Sequence, residues 1–310
     1  LTVPATSAAA TVPVPPGLVI APQLPELMLP VKVRRGVLGF LRNHPTVAIG
    51  GALLLCLVLV AIFAPYLWTI DPTALAPARR TRAPSAAFWF GTDALGRDIY
   101  SRVLYGARVS LTVGLSVAAL ASLTGLAIGL LSGVVRWADG LLMRFMDGLM
   151  SIPPILLAIA LMALTRGSVG NVILAITIAE IPRVSRLVRG VVLTLREQPY
   201  VDAATTSGTR TPMIILRHIL PNTLAPILVQ ATYICASAMI VESILSFIGA
   251  GTPPTIPSWG NIMAEGRALW QVKPYIVFFP AAFLSVTVLA VNLVGDGLRD
   301  ALDPRMATNL

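Results

Sequence analysis

Charge is what this sequence has least of: Asp, Glu, Lys and Arg together make up 12% of its 310 positions. A soluble domain carries about 25%. With 56% hydrophobic residues and a mean hydropathy of +0.81, the shortage excludes an ordinary soluble domain and reads as an integral membrane protein. Cysteine is nearly absent too. Cys56 and Cys235 both fall inside apolar runs, which excludes a disulfide framework or a thiolate metal site and leaves small core hydrophobes. The two histidines, His44 and His218, stand far apart, and neither H-E-x-x-H nor G-x-S-x-G occurs, so an intramembrane hydrolase has no motif to rest on. No glycine is followed by lysine anywhere, so the chain has no loop of the G-x-x-x-x-G-K-[ST] kind to cradle ATP phosphates. Active transport by such a chain needs energy from another one. The net charge of +9 is spread over the connections with no aromatic-interleaved basic patch, which argues against nucleic acid and for orientation in a membrane.

What is present is a series of long apolar runs. A crossing needs roughly 20 such residues, and candidates lie at Val47–Trp68, Val109–Val135, Leu149–Leu164, Val169–Val188, Leu224–Gly249 and Tyr275–Val294. The third is short and opens on Pro153-Pro154. The fourth contains Glu180, Pro182, Arg183 and Arg186, whose basic end can reach the interface by snorkelling. Six crossings put both ends of the chain on one side. On that reading 14 Lys and Arg lie inside against nine outside, in the direction of the positive-inside rule. Residues 1–30, rich in Pro, Ala, Thr and Val, read as a disordered or polyproline-like tail. Lys32, Arg34, Arg35 and Arg42 follow as a basic collar that holds this end in the cytoplasm.

Tyr200 to Pro221 is a polar insert between apolar runs, and its local grammar is legible. Pro199 suits the first turn of a short helix through Asp202, Ala203 and Ala204; Gly208 breaks it. Thr211-Pro212 reads as an N-cap and first helical residue, and Pro221 marks an end or bend. Two short helices at a glycine corner form a stiff elbow; the plain alternative is a basic connecting loop. The order Asp202-Ala203-Ala204, three residues, Gly208, then Leu220-Pro221 resembles the EAA loop of ABC-importer permeases, with Asp202 where glutamate is usual and His218 where isoleucine is usual. Arg217-His218-Ile219-Leu220-Pro221-Asn222 is similar to the peptide-permease branch. The resemblance implies that this elbow docks into a groove of a separate ATPase subunit.

A second motif lies in the first long connection. Gly91-Thr92-Asp93-Ala94-Leu95-Gly96-Arg97-Asp98, continuing through Ser101-Arg102 to Tyr105-Gly106-Ala107-Arg108, resembles the signature of the C-type permease of dipeptide and oligopeptide importers. Two glycines and two aspartates among arginines suggest a compact turn closed by charge-assisted bonds, followed by an amphipathic helix at the interface. Ser246–Gly249, Pro257–Gly260 and Gly295–Arg305 resemble the same branch. The family implies an all-α integral membrane fold, a six-transmembrane-helix bundle of the type I ABC-importer permease kind. Its implied domain plan is a cytoplasmic tail over 1–45 and a permease domain over 46–305, with an external loop at 69–108 and a cytoplasmic coupling loop at 197–222. A short cytoplasmic end follows at 306–310. The family also implies a homologous B-type permease, two ATPase subunits that hold ATP and Mg, and an external substrate-binding protein. Lipid surrounds the chain, which itself has no cofactor, in a bacterial inner membrane. Relatives move dipeptides, oligopeptides, nickel complexes or glutathione; a passive channel or intramembrane hydrolase is the alternative of another class.

Two further features stay open in the sequence. Gly125, Gly129 and Gly133 repeat every four residues, a smooth strip that serves either an internal contact or a subunit seam. Glu180 and Glu242 lie inside apolar runs, where lipid exposure costs several kcal/mol. Either they line a substrate path and meet a peptide's ammonium, or they are held by arginine or backbone groups in the bundle.

Overall fold

The computed structural model describes residues 44–302. The readings placed on the 1–30 tail, the basic collar and residues 303–310 fall outside the described residues. Among the described residues the regular structure is helical, apart from two isolated bridges in the first connection.

Helix α1 (Pro45–Phe63) starts on a proline, where the missing N–H has no partner to lose, and tightens into a 3-10 turn at Ala64–Tyr66. Helix α2 (Ile99–Val134) is 36 residues long, about 54 Å at 1.5 Å per residue, and is capped by Asp98. It starts ten residues before the expected crossing. The stretch after the glycine turn is therefore no separate interfacial helix but the first turns of α2. Its basic side chains need no lipid headgroups: Arg102 is neutralised by Asp93 and Glu265, and Arg108 donates to the carbonyls of Ala61 and Ile62.

Helices α3 (Arg136–Met150) and α4 (Pro154–Ala163) meet at 86°. Pro154 has no N–H to continue α3 and instead opens α4, so the expected segment 149–164 is a corner rather than one rod. Helix α5 (Val169–Arg196) is capped by Ser168; α8 (Leu220–Phe247), α9 (Trp259–Gly266) and α10 (Tyr275–Leu302) complete the bundle. Among the described residues four helical stretches are long and apolar enough to cross a membrane, and α3 with α4 makes a fifth if the bent pair is one crossing. With 28 residues α5 has the length, and Glu180, Arg183, Arg186, Arg189 and Arg196 are what keep it out of that group.

The glycine strip gives the directions of the helices. A Cβ on Gly125, Gly129 or Gly133 would meet the side chains of Val184, Val188 and Val192 in turn, at 2.5 Å in each case. The strip is thus an internal contact, α2 against α5, with both helices running the same way. Residues 135–168 must then carry the chain back to the opposite end, so α3 and α4 together act as one return. Gly50 lies against Ala290 and Leu293, and Gly297 against Val47, so α1 and α10 are antiparallel. The start of α1, the ends of α2, α5 and α10 and the start of α8 therefore share one end of the bundle. The loop 67–98 and α9 sit at the other. Ile176, Val184, Ile234, Met239 and Leu245 are buried between the helices.

Candidate functional site

The elbow occupies the end of the bundle shared by the start of α1 and the end of α10. Helix α6 (Pro199–Thr206) places Asp202 in its first turn, where the unpaired N–H groups favour a negative charge. Gly208 ends it at φ +80°, with Gly208 N donating to Thr205 O at 3.0 Å and Thr209 N to Ala204 O at 3.1 Å. This pair of bonds is the Schellman closure, which needs the left-handed residue that glycine supplies. Thr206 and Ser207 hydroxyls donate to the carbonyls of Asp202 and Ala203 and tie up the last turn.

Helix α7 (Thr211–Ile214) starts one residue earlier than the Thr-Pro pair suggests. The carbonyl of Arg210, not of Thr211, accepts from Met213 N at 2.9 Å and Ile214 N at 3.1 Å, so Arg210 is the cap. Pro212 then sits at the second helical position, where no N–H is required either. Pro221 does not end the helix. Over Ile215–Ile219 the chain widens into a π-turn, with Leu220 N donating to Ile215 O, and the helix continues from 211 to 247. The reason is local: Pro221 cannot donate to the carbonyl four residues back, and a wider turn absorbs that missing bond. Asn222 Nδ2 donates to His218 O at 2.6 Å and adds a side-chain bond there.

Of the elbow residues singled out in the sequence, Asp202, Ala203, Gly208, Thr211, Pro212, Arg217 and Pro221 are exposed, while Ala204, His218 and Leu220 are half-buried. Val201, Ile214 and Ile219 are buried and fasten the elbow to the bundle. Tyr200 and His218, with ring centroids 6.0 Å apart, brace α6 against the π-turn. The elbow is thus stiff beneath and open above, with Met213 and Leu216 adding exposed apolar surface.

The two intramembrane carboxylates are not brought together. Glu242 is wholly buried; its Oε1 accepts from Ser246 Oγ at 2.8 Å, and Ser246 leads on to Thr252, Ser258 and Asn261. These residues bind α8 to the start of α9. Glu180 is also buried, with Arg183 at 3.3 Å and Ser237 Oγ at 3.5 Å. Among the described residues no group of His, Cys, Asp or Glu could hold a metal ion.

At the opposite end the glycine turn is closed by charge. Gly91 and Gly96 take φ of +78° and +80°. Asp93 Oδ1 accepts from Leu95 N and Arg97 N, and its Oδ2 from Arg97 Nε at 2.7 Å and Arg102 at 2.6 Å. Glu265 of α9 completes a group of two carboxylates and two guanidiniums. Glu265 is the residue that sequence reasoning missed. The one available signal was two arginines in the motif against Asp93, with Asp98 spent on capping. Trp259, fully buried, donates from Nε1 to Val103 O at 3.0 Å and closes α9 onto α2.

A bundle of long apolar helices joined by short polar connections is the architecture of a multi-helix membrane protein. The family described as "Binding-protein-dependent transport system inner membrane component" matches residues 125–308, and "N-terminal TM domain of oligopeptide transport permease C" matches residues 35–84. The chain belongs to this family of ABC-transporter permeases for peptides. It is 52% identical over 264 residues to "Probable peptide ABC transporter permease protein y4tQ" of Sinorhizobium fredii, covering 85% of this chain and 90% of that protein. It is 42% identical to a dipeptide transport system permease protein of Alkalihalophilus pseudofirmus, covering 86% and 88%. It is 40% identical to a glutathione transport system permease protein of Pectobacterium atrosepticum, covering 86% and 89%. An inward-facing structure of the MetNI methionine ABC transporter shares the fold at a TM-score of 0.53 and 18% identity, over 65% of this chain and 96% of that one.

Proposed function

We propose that this chain is the membrane subunit of an ATP-driven importer of di- or oligopeptides and that Tyr200–Pro221 is its ATPase-coupling elbow. The carrying observation is the elbow itself: a rigid corner at Gly208, anchored by Val201, Ile214 and Ile219, that leaves Asp202, Ala203 and Pro212 open to a partner. An ATPase can drive a membrane path only if its states bear differently on the path's two conformations. That transfer needs a stiff contact, which two short helices and a Schellman closure supply.

In this reading a homologous B-type permease completes the path, two ATPase subunits hold ATP and Mg beneath the elbow, and a substrate-binding protein delivers ligand at the end of the 67–98 loop. The chain itself uses no cofactor. The elbow and both termini face the cytoplasm. Glu242 and Glu180 contribute polar groups beside the path rather than a charge pair across it. The names of the relatives, peptide and dipeptide permeases at 52% and 42% identity, favour peptides; the glutathione permease at 40% identity supports a second reading, a γ-linked tripeptide.

The test is uptake in vesicles holding the full set of subunits. Labelled dialanine and labelled glutathione are offered with and without ATP, for the natural chain and for Ala203→Glu. ATP-dependent uptake of one ligand, lost with Ala203→Glu, is the expected result. Uptake without ATP would replace the reading with a passive channel, and uptake of neither ligand would remove the peptide class.

A further inference from the structure

We propose that the cavity beneath the 67–98 loop recognises a primary ammonium group, the α-ammonium of a peptide. The cavity measures about 630 Å³, inside the roughly 300–1,000 Å³ range of small-molecule sites. Its walls include Trp68, Trp89, Phe88 and Tyr100. Trp89 and Tyr100 meet edge to face at 4.9 Å, while Trp68 and Trp89 stay exposed, so indole surface remains for a ligand. Aromatic faces attract cations through the ring quadrupole, most strongly when water is excluded.

Asp98 supplies the charge. It lines the cavity, is 5% exposed, and spends only one oxygen on capping α2: Oδ2 accepts from Ser101 N at 2.8 Å and Ser101 Oγ at 2.5 Å. Among the described residues, Oδ1 accepts no hydrogen bond. That oxygen is left for a donor reaching in from the cavity that Asp98 lines, and an ammonium is a donor of the matching charge. Trp68 adds an independent sign. It holds φ 51°, a conformation that costs a non-glycine residue energy and gathers at functional sites, and the residue stays 84% exposed beside the cavity. Arg79, stacked over Phe88 at 5.7 Å, provides a cation for the carboxylate of the same zwitterion. Walls this apolar disfavour a hydrated metal cation.

Naming a peptide as the source of the ammonium rests on the proposed function; ammonium recognition stands on the cavity alone. The assembled membrane complex in lipid nanodiscs is titrated calorimetrically with ethylammonium, L-alanyl-L-alanine and N-acetyl-L-alanyl-L-alanine. Acetylation weakens binding at least about tenfold, and ethylammonium competes with the free dipeptide. Asp98→Asn, which keeps an acceptor for the Ser101 N–H, and Trp89→Leu, which leaves the cap untouched, each weaken binding about tenfold with the melting temperature unchanged. Equal binding of the free and acetylated dipeptides, or natural affinity in both variants, overturns the site. Ethylammonium binding that needs Asp98, in a complex that imports no dipeptide, keeps the site and removes only the peptide.

Discussion

Gly129 of α2 lies so close to Val188 of α5 that a Cβ on the glycine would stand 2.5 Å from the valine Cβ. Gly125 and Gly133 repeat the relationship one turn before and one turn after, against Val184 and Val192. In a membrane, where burial of apolar surface gives no drive for helices to associate, this approach is what lets packing and weak polar contacts act. Gly129→Leu forces the pair apart and destabilises the bundle by about 1–3 kcal/mol. Gly140, with nothing within 4 Å of a Cβ, is the control: Gly140→Ala is neutral or stabilising by up to about 1 kcal/mol. Thermal unfolding of the detergent-solubilised complex compares them, and equal melting for the two variants would mean the strip carries no packing.

The buried charge group at the 67–98 loop makes a different kind of prediction. Arg102 is 1% exposed and is shared between Asp93 and Glu265. Arg102→Met leaves Asp93 and Glu265 to share Arg97, two carboxylates against one guanidinium, and costs about 3–5 kcal/mol. Glu265 is 23% exposed, so water screens it and Glu265→Gln costs less. The double variant Arg102→Met/Glu265→Leu is less destabilised than the sum of its single changes, because the two losses share one interaction. Strict additivity in unfolding measurements would show that Glu265 is a bystander.

How much of this was legible beforehand follows the range of each interaction. Gly208 could be read because a left-handed corner is a property of one residue, and the turn at Gly91–Asp98 because its glycines, caps and arginine lie within eight positions. Glu265 could not, since its partners lie 168 and 163 positions away in the chain. The same holds for the length of α2. Its polar first turns look interfacial until α9 and the loop cover them. Pro221 misleads for a subtler reason, because a proline announces a missing bond but not whether the helix will break or widen to absorb it. The environment of Glu242, a set of hydroxyls from three segments, depends wholly on how α9 folds back.

Glu242 can now be tested with two substitutions rather than one. Glu242→Gln keeps an acceptor for the Ser246 hydroxyl and leaves complex yield and melting close to natural. Glu242→Leu removes that acceptor and leaves the buried Ser246 hydroxyl with Thr252 alone, a cost of about 1–3 kcal/mol. A change in ligand preference with Glu242→Gln at natural stability would place the carboxylate on the transport path. Natural behaviour of both variants would remove any role for it.

Orientation is open to chemical labelling. Ser85 and Thr209 lie at opposite ends of the bundle, on the 67–98 loop and beside the Gly208 corner. With Cys56 and Cys235 replaced, a cysteine at Ser85 reacts with a membrane-impermeant maleimide in intact cells and one at Thr209 does not. The reverse pattern would put the elbow outside and take it away from any cytoplasmic ATPase.

The elbow yields the sharpest expectation, because its geometry separates two ways of failing. Gly208 has φ +80° and nothing within 4 Å of a Cβ, so a side chain there meets no steric wall. Any penalty comes from the backbone alone. Valine in the left-handed region costs about 1–2 kcal/mol, whereas asparagine tolerates that region at much smaller cost. If the corner positions the exposed face of α6 for an ATPase subunit, the penalty reappears as weakened association. Gly208→Val then lowers ATPase affinity about five- to thirtyfold, and Gly208→Asn stays near natural. Both variants insert and fold normally, since Val201, Ile214 and Ile219 still anchor the elbow from beneath. Co-purification of the ATPase subunits and dipeptide uptake in reconstituted vesicles measure the two steps. Val and Asn variants that both lose association would show that side-chain bulk, not the left-handed corner, decides the contact. Natural association in both would reduce Tyr200–Pro221 to a connection between helices.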